Sequence, residues 1–194
     1  KIRSVLLDLH DGFLKTKIIN SNVFYKEELE STNREAKKLI SNYGIIVCDK
    51  QTHGHGRHGR KWISTPYKDL AFTIVIPNDC NINGQNLVNL ACESIVFNLQ
   101  KLDVRSTIKH PNDIYVEDRK IAGVLCEQIV KDKITAPIIG IGINVNSNLD
   151  DLKSIKDKPY TSLFVELGKK TNREILLKDI VEKIDDIIQK QVYQ

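Results

Sequence analysis

The sequence Ile-Tyr-Val-Glu-Asp-Arg-Lys-Ile-Ala-Gly-Val-Leu-Cys-Glu-Gln-Ile at residues 114–129 decides the fold class. Apolar and β-branched side chains dominate Ile114–Val116 and Ile121–Ile129, whereas the connection Glu117–Lys120 is polar. Two such runs joined by a short polar segment are typical of a β-hairpin. The stretch therefore predicts two neighbouring strands of a sheet.

Further strands are predicted on both sides of this hairpin, because other short segments are rich in β-branched and apolar residues. They are Val5–Leu9, Leu14–Ile19, Val23–Tyr25, Ile45–Cys48, Leu70–Ile76, Ser106–Lys109 and Ile138–Val145. Asp11 and Gly12 separate the first two segments and predict a hairpin turn between them.

Three segments show the apolar spacing of amphipathic helices. Thr32 with Glu35 is a capping-box pattern at the start of a short helix that begins near Ser31, and Thr171 with Glu174 repeats the pattern before a C-terminal helix. Gln85–Leu102 is the third helix. Strands and helices together predict an α+β fold, a mixed β-sheet packed with helices. No linker or repeat divides residues 1–194, so we expect a single domain.

The composition is that of an ordinary globular protein, with 41% hydrophobic and 28% charged residues. No apolar run approaches the roughly 20 residues that span a bilayer, and the N-terminus lacks a signal-peptide pattern. We therefore expect a cytoplasmic protein without membrane contact. The cysteines form no CxxC pair and lie in mostly apolar contexts, which favours buried reduced thiols. They are Cys48, Cys80, Cys92 and Cys126.

The segment Gln51-Thr-His-Gly-His-Gly-Arg-His-Gly-Arg-Lys-Trp62 combines glycines with basic residues in a stretch that has no periodicity. It predicts a loop that binds anions, because glycines allow a close backbone approach and guanidinium groups bind carboxylate or phosphate. It has neither the Gly-Lys-Ser/Thr ending of a P-loop nor the context of a dinucleotide fingerprint. A solvated basic loop is the alternative interpretation. The spacing of His53, His55 and His58 matches no known zinc pattern.

Five blocks, taken together, resemble the catalytic domain of biotin protein ligases in order and approximate spacing. They are Ser31-Thr-Asn33, Gln51–Trp62, Lys109-His-Pro-Asn-Asp113, Arg119-Lys-Ile-Ala-Gly-Val-Leu-Cys-Glu127 and Gly140-Ile-Gly-Ile-Asn144. The resemblance spans Tyr25 to Asn146 and implies the biotin and lipoate ligase catalytic fold, which is like that of class II aminoacyl-tRNA synthetases.

The resemblance implies a two-step reaction. Biotin and ATP, with Mg²⁺, would give biotinyl-5′-adenylate, which then acylates a lysine of a biotin carboxyl carrier protein or domain. Such a reaction needs cations, because two anions must meet while charge builds on the α-phosphate. A homodimer is also possible by resemblance. Nothing upstream of the first block resembles a winged helix, so we expect no DNA binding. Many relatives continue into a C-terminal SH3-like domain, which we expect this chain to lack.

The resemblance also assigns roles to individual residues. Lys120, Arg57 and Lys109 would be catalytic, with Lys120 at the biotin carboxylate and α-phosphate. The biotin-binding residues would be Ser31, Thr32, Asn33, Gln51, Gly54, His55, Gly56, Arg57, Lys120 and Gly123. Those for ATP and the adenylate would be Arg57, Arg60, Trp62, Lys109, Asn112, Lys120 and Asn144. Asp113 and Asn144 would position Mg²⁺.

Alternative structural roles remain open for some of these residues. Ser31 and Thr32 suit a helix cap, Lys120 suits a solvated hairpin position, and Asp113 suits a turn cap. The sequence departs from the family pattern at His55, where an arginine is usual, and at His110, where a tryptophan is usual. An imidazole titrates near neutrality, so we hypothesise that ligand affinity depends on pH.

Three other functions compete with biotin ligation. A lipoate ligase or octanoyltransferase shares the architecture, but the arginine- and glycine-rich lipoate motif is absent and Cys126 has no evident catalytic partner. A non-catalytic biotin- or nucleotide-binding homologue is compatible with the two histidine replacements. A nucleic-acid-binding module is disfavoured, since Trp62 is the only aromatic residue of the basic loop that could stack on a base.

Overall fold

The computed structural model describes residues 12–39, 43–131, 134–153, 155 and 158–192. Within them, seven strands form one sheet in the order β1-β2-β3-β7-β6-β5-β4. The strands are β1 Val23–Leu29, β2 Ile45–Gln51, β3 Leu70–Val75, β4 Thr107–Lys109, β5 Asp113–Val116, β6 Arg119–Lys131 and β7 Ile134–Ile143. Only β1 and β2 pair in parallel, and all other neighbours are antiparallel. The sheet is therefore mixed, as predicted.

Helices cover both faces of this sheet. One face carries α1 (Thr32–Leu39), and the other carries the long helices α2 (Gly84–Lys101) and α5 (Arg173–Val192), which also pack on each other. Two short helices, α3 (Leu149–Lys153) and α4 (Leu163–Leu167), connect β7 to α5. The main hydrophobic core lies under α2 and α5, and a smaller cluster lies on the side of α1. The α+β prediction is confirmed.

Strand β7 shows how the sequence divides the two faces. Successive side chains of a strand point to opposite sides, and Ile139, Ile141 and Ile143 all enter the main core. Ile138 belongs to the cluster on the side of α1, so Gly140 and Gly142 lie on that side as well. Because glycine has no side chain, side chains from other segments can lie directly on the α1 face of β7.

The predicted hairpin of residues 114–129 is confirmed as β5 and β6. Val116 pairs with Arg119 across a tight turn, in which Glu117 has a φ of 54°. The register shifts between Ile114 and Tyr115, which pair with Ala122 and Lys120 respectively, so that β6 holds one additional residue. A bulge of this kind re-aims a neighbouring side chain.

The predicted strand Leu14–Ile19 is wrong, because this segment is irregular. Its backbone amides are satisfied by a side chain instead of a neighbouring strand. The N–H groups of residues 17 to 19 donate to the two carboxylate oxygens of Asp185 on α5, at 2.7 to 2.9 Å. The predicted strand Val5–Leu9 and the turn at Asp11 lie outside the described residues.

The helices begin close to the predicted positions, but neither predicted threonine is the cap. Helix α1 already includes Thr32, whose hydroxyl donates to Gln51. Helix α5 begins at Arg173, and Asn172 caps it by accepting a hydrogen bond from the amide of Ile175 at 3.0 Å. Helices α3 and α4 were not predicted, since five residues contain too little periodicity to recognise. In the described part of the chain, no helix has the length and apolar character needed to traverse a bilayer.

Candidate active site

A pocket on the α1 side of the sheet brings most of the predicted site residues together. It lies above β6 and β7, between the N-terminus of α1 and the loop that follows β2. The predicted residues that line it are Ser31, Thr32, Asn33, Gln51, His55, Gly56, Arg57, Arg60, Trp62, Asn112, Asp113, Lys120 and Gly123. Gly54, Lys109 and Asn144 are not in its lining. Residues that the sequence did not predict also contribute: Lys61, Val124, Leu125, Gly140, Ile141, Gly142, Lys158 and Tyr160.

The basic loop folds over the pocket as a small irregular hairpin. The amide of Trp62 donates to the carbonyl of Gly54 at 2.9 Å, and the amide of Gly56 donates to that of Arg60 at 2.7 Å. The chain reverses at His58 and Gly59, which have φ values of 56° and 72°. The loop therefore has a defined shape, stabilised by its own backbone.

Arg57 lies at the tip of this loop and is exposed. Its guanidinium approaches Asn112 Oδ1 at 3.5 Å, the outer limit of a hydrogen bond. Asn112 is itself held on β6, because its Nδ2 donates to the carbonyl of Val124 at 2.8 Å and its carbonyl accepts from the amide of Val124 at 2.9 Å. Arg57 thus lies across the pocket mouth and is held there by one weak hydrogen bond to Asn112.

Trp62 forms a wall of the pocket. A Cβ built on Gly142 would lie 2.3 Å from Cε2 of the indole, and one on Gly123 would lie 3.2 Å from Cζ3. The ring therefore packs directly on the glycine backbone of β7. Its Nε1 is buried and has no hydrogen-bond partner among the described residues. An unpaired buried donor of this kind suits a ligand that brings an acceptor.

Lys120 is buried at the floor of the pocket, with only 7% of its surface exposed. The bulge in β6 turns it to the same face as Gly123, where a Cβ would lie 3.2 Å from Lys120 Nζ. The ammonium is 2.5 Å from Asp113 Oδ1 and 5.3 Å from the centre of the Trp62 ring. Burial lowers the pKa of Lys120, while the hydrogen bond to Asp113 opposes this shift. Lys120 is not a solvated hairpin lysine.

Lys158 is a second lysine of the site, and sequence analysis missed it. Its Nζ lies 3.5 Å from Asp113 Oδ2, so the carboxylate of Asp113 has an ammonium at each oxygen. Lys158 is distant in sequence from β5 and β6, and it lies in a stretch without strand or helix periodicity. Only the folded chain brings it to the pocket.

A network of polar side chains joins α1 to the sheet at the other end of the pocket. Gln51 Oε1 accepts from the Thr32 amide at 2.9 Å, and Thr73 Oγ1 lies 2.8 Å from Thr32 Oγ1 and 2.6 Å from Asn33 Oδ1. A Cβ on Gly140 would lie 2.3 Å from Asn33 Oδ1, so only glycine leaves room for this amide. Thr73 was not predicted, because a threonine in a strand carries no signal of its own.

Glu127 completes this network. Its carboxylate accepts from Asn33 Nδ2 at 2.7 Å and from Lys37 at 3.0 Å, and it lies 3.4 Å from His55 Nε2. Partial burial acts to raise the pKa of Glu127, but the hydrogen bonds from Asn33 and Lys37 outweigh it and hold the pKa below its ordinary value. A carboxylate with a lowered pKa thus faces the histidine of the loop.

The remaining predicted residues lie around the pocket. Lys109 is exposed, and its Nζ lies 4.7 Å from the centre of the Tyr115 ring. Asn144 is buried and donates to the carbonyl of Thr161 at 3.0 Å, and its Oδ1 has no hydrogen-bond partner within the described ranges.

A divalent cation does not fit the predicted pair Asp113 and Asn144 as the side chains stand. Both carboxylate oxygens of Asp113 face ammonium groups, which would repel a cation. In the portion of the chain that is described, no group of three histidine, cysteine, aspartate or glutamate residues is close enough to hold a metal ion. The metal role of these two residues stays a prediction.

Comparison with known proteins assigns the fold to one family. Residues 18–144 match the model of the biotin/lipoate A/B protein ligase family. The bifunctional ligase/repressor BirA of Bacillus spizizenii is 31% identical over 175 residues, which are 87% of this chain and 54% of BirA. The chain thus spans about half the length of the curated relatives it matches.

Solved structures give the same result. Biotin protein ligase from Aquifex aeolicus in complex with biotin and ATP superimposes with a TM-score of 0.78 at 32% identity, over 89% of this chain and 72% of the ligase. Biotin protein ligase from Leishmania major in complex with biotinyl-5-AMP gives a TM-score of 0.71 at 25% identity, over 87% and 75%. The mixed seven-stranded sheet is the catalytic fold of these enzymes, and the chain belongs to the biotin/lipoate A/B protein ligase family.

Proposed function

We propose that this chain is a biotin protein ligase, which activates biotin with ATP and transfers the biotinyl group to a lysine of a biotin carboxyl carrier protein or domain. The observation that carries the proposal is the position of Lys120. It is a buried ammonium at the pocket floor, paired with Asp113 and next to the backbone of Gly123 and the indole ring of Trp62. The similar ligases from Aquifex aeolicus and Leishmania major, described with biotin and ATP and with biotinyl-5-AMP, support the choice of substrates.

The first step joins two anions. A carboxylate oxygen of biotin attacks the α-phosphorus of ATP, the bond to the β-phosphate breaks, and pyrophosphate leaves. Lys120 stabilises the negative charge at the reacting carboxylate and phosphate, and its burial strengthens this interaction. Mg²⁺ arrives with ATP as part of the substrate and not as a resident metal of the chain.

Other residues hold the substrates in place for this step. The polar network of Ser31, Thr32, Asn33 and Gln51 hydrogen-bonds the ureido ring of biotin, which offers both donors and acceptors. The indole of Trp62 and the glycine backbone of β7 enclose the flat, apolar part of the ligand. Asn144 and Arg60 serve the nucleotide, and Asp113 releases Lys120 as the anions enter.

The second step transfers the acyl group. The amine of the acceptor lysine attacks the carbonyl carbon of biotinyl-5′-adenylate, the bond to the phosphate oxygen breaks, and AMP leaves. Arg57, on the loop over the pocket, retains the reactive adenylate until the acceptor arrives. Because the tether of Arg57 to Asn112 is weak, the loop can open for the acceptor.

A cysteine-based octanoyltransferase is a poorer alternative. Burial raises the pKa of the Cys126 thiol, whereas a nucleophilic cysteine needs a lowered pKa. The exchange assay described next distinguishes a biotin ligase from a lipoate ligase and from a non-catalytic homologue. A cytoplasmic location, a possible homodimer and the lack of DNA binding stay predictions from the sequence, as does the single domain.

The test is ATP and pyrophosphate exchange with Mg²⁺ and with biotin, lipoate or no acid. Biotin-dependent exchange, followed by labelling of a biotin carboxyl carrier domain, is the expected result. Exchange with lipoate alone would establish the lipoate ligase. Binding of biotin without exchange would establish the non-catalytic homologue.

A further inference from the structure

One carboxylate in the pocket serves two lysines. Asp113 lies 2.5 Å from the ammonium of Lys120 through Oδ1 and 3.5 Å from that of Lys158 through Oδ2. The three side chains are 9%, 20% and 21% exposed for Lys120, Asp113 and Lys158, so water screens the group only partly. Two ammonium groups and one carboxylate leave an excess of one positive charge at this point.

Backbone hydrogen bonds join the segment that follows Lys158 to the start of β6. The carbonyl of Pro159 accepts from the amide of Lys120 at 2.9 Å, and the amide of Thr161 donates to the carbonyl of Lys120 at 2.9 Å. Tyr160 thereby pairs with Lys120 as in a parallel bridge. Lys158 directly precedes this bonded segment, which places it next to the start of β6.

The excess positive charge of Lys120, Lys158 and Asp113 would attract an anion. Lys158 Nζ lies over the Tyr160 ring, 5.9 Å from its centre, and Asp113 is its one ion-pair partner within the described residues. Lys158 also acts to lower the pKa of Lys120, which is the sign of like charges that repel. An incoming phosphate would relieve this repulsion between the two ammonium groups. The Lys158 ammonium has three N–H donors, so it can donate to Asp113 and to a phosphate oxygen at the same time.

We propose that Lys158 is a second phosphate-binding residue of the site, which contacts the phosphate chain of ATP and keeps hold of Asp113 while Lys120 turns to the reacting carboxylate. This inference rests on the proposed function for its role in adenylation. The binding of a phosphate chain itself does not depend on that function. Lys158 lies outside the five sequence blocks that carry the family resemblance.

The direct test is pyrophosphate binding, measured by calorimetry and by the fluorescence of Trp62, the only tryptophan of the chain. Lys158→Met should weaken pyrophosphate binding about tenfold or more, and Lys158→Arg should restore most of the affinity because the positive charge returns. Lys153→Met is the matched control: Lys153 is 74% exposed and pairs with Asp150 on the surface, so its removal should leave the affinity unchanged.

A pH profile distinguishes this role from a merely structural one. Removing the charge of Lys158 should raise the pKa of Lys120, whose other facing groups are Asp113 on β5 and the ring of Trp62. The alkaline limit of biotin-dependent exchange should therefore move to higher pH in Lys158→Met and return in Lys158→Arg. A structural defect would lower the rate at every pH without moving this limit.

The outcomes separate the two proposals. If wild-type protein exchanges pyrophosphate with biotin but Lys158→Met binds pyrophosphate as tightly as wild type, the inference on Lys158 is wrong and the proposed function stands. If wild type shows no exchange, the proposed function fails, and the calorimetric titration still decides whether Lys158 binds a phosphate chain. Absence of pyrophosphate binding in wild type would overturn the inference.

Discussion

The indole ring of Trp62 lies on the backbone of Gly142, so close that a Cβ on this glycine would be 2.3 Å from the ring. The contact joins the loop after β2 to the middle of the sheet. It also determines how much space remains between the ring and the buried ammonium of Lys120, 5.3 Å from the ring centre. The residue at position 142 therefore controls the shape of the pocket.

We expect Gly142→Ala to displace Trp62 and to weaken biotin binding about tenfold, or about 1.4 kcal/mol. The indole can yield because a loop carries it, so the loss should appear in the biotin Kd and the Trp62 fluorescence more than in the free energy of unfolding. Gly84→Ala is the control, since its Cβ would lie 3.4 Å from Cys126 Sγ, an ordinary contact. Equal biotin affinity in Gly142→Ala and wild type would contradict this account.

Lys120→Met should lower biotin-dependent pyrophosphate exchange by about 10²–10³, as expected for loss of one preorganised charge at developing negative charge. Stability should change little, because the methylene stem is replaced and Asp113 keeps its second partner, Lys158. The exchange rate and a urea titration of the same samples test both statements. If Lys120→Met unfolds at a lower urea concentration than wild type but keeps its specific activity when folded, Lys120 is a structural residue.

The contact of His55 with Glu127 should make biotin affinity depend on pH. Glu127 has a lowered pKa, so its carboxylate is ionised near neutral pH, and a protonated imidazole would pair with it more strongly than a neutral one. Closure of the loop should therefore strengthen toward pH 6. Because the pair is partly exposed, we expect the biotin Kd to fall only about two- to fivefold from pH 8 to pH 6.

Two variants test the origin of this pH dependence. His55→Arg keeps a positive charge at every pH and should remove the dependence while retaining tight binding. Glu127→Gln should remove it and weaken binding, since the partner of the histidine is lost. An equal Kd at pH 6 and pH 8 in wild type would count against the hypothesis.

Asp185→Ala should destabilise the chain by about 3 kcal/mol, because a buried carboxylate that satisfies three backbone amides is lost. The neighbouring Asp186 is exposed, and Asp186→Ala should change the free energy of unfolding by no more than about 0.5 kcal/mol. Urea unfolding measures both. Similar values for the two variants would show that Asp185 does not stabilise residues 17 to 19.

Local patterns predicted most of this structure. The hairpin of residues 114–129 and helix α2 followed from side-chain periodicity and turn composition, which act over a few residues. The pocket lining followed largely from a family resemblance, because motif residues that are distant in sequence meet only in the fold. Which of them carry chemistry is still a matter of prediction.

Two of the errors share one physical cause, which is that the interacting residues are distant in sequence. The segment Leu14–Ile19 has the composition of a strand, but Asp185 supplies its hydrogen bonds from the other end of the chain. Lys158 reaches the pocket through backbone bonds to Lys120. Neither relationship has a signature in the local sequence.

Because glycine and isoleucine alternate along β7, the residues that shape the pocket and those that fill the core occupy alternate positions of one strand. A substitution at Gly140 or Gly142 alters the volume offered to a ligand, whereas one at Ile139 or Ile141 alters the core. The shape of the pocket and the packing of the core are therefore set by different residues of the same strand. In a saturation library over this strand, substitutions at the glycines should give folded variants with altered ligand binding. Substitutions at the isoleucines should give variants that do not accumulate as folded protein.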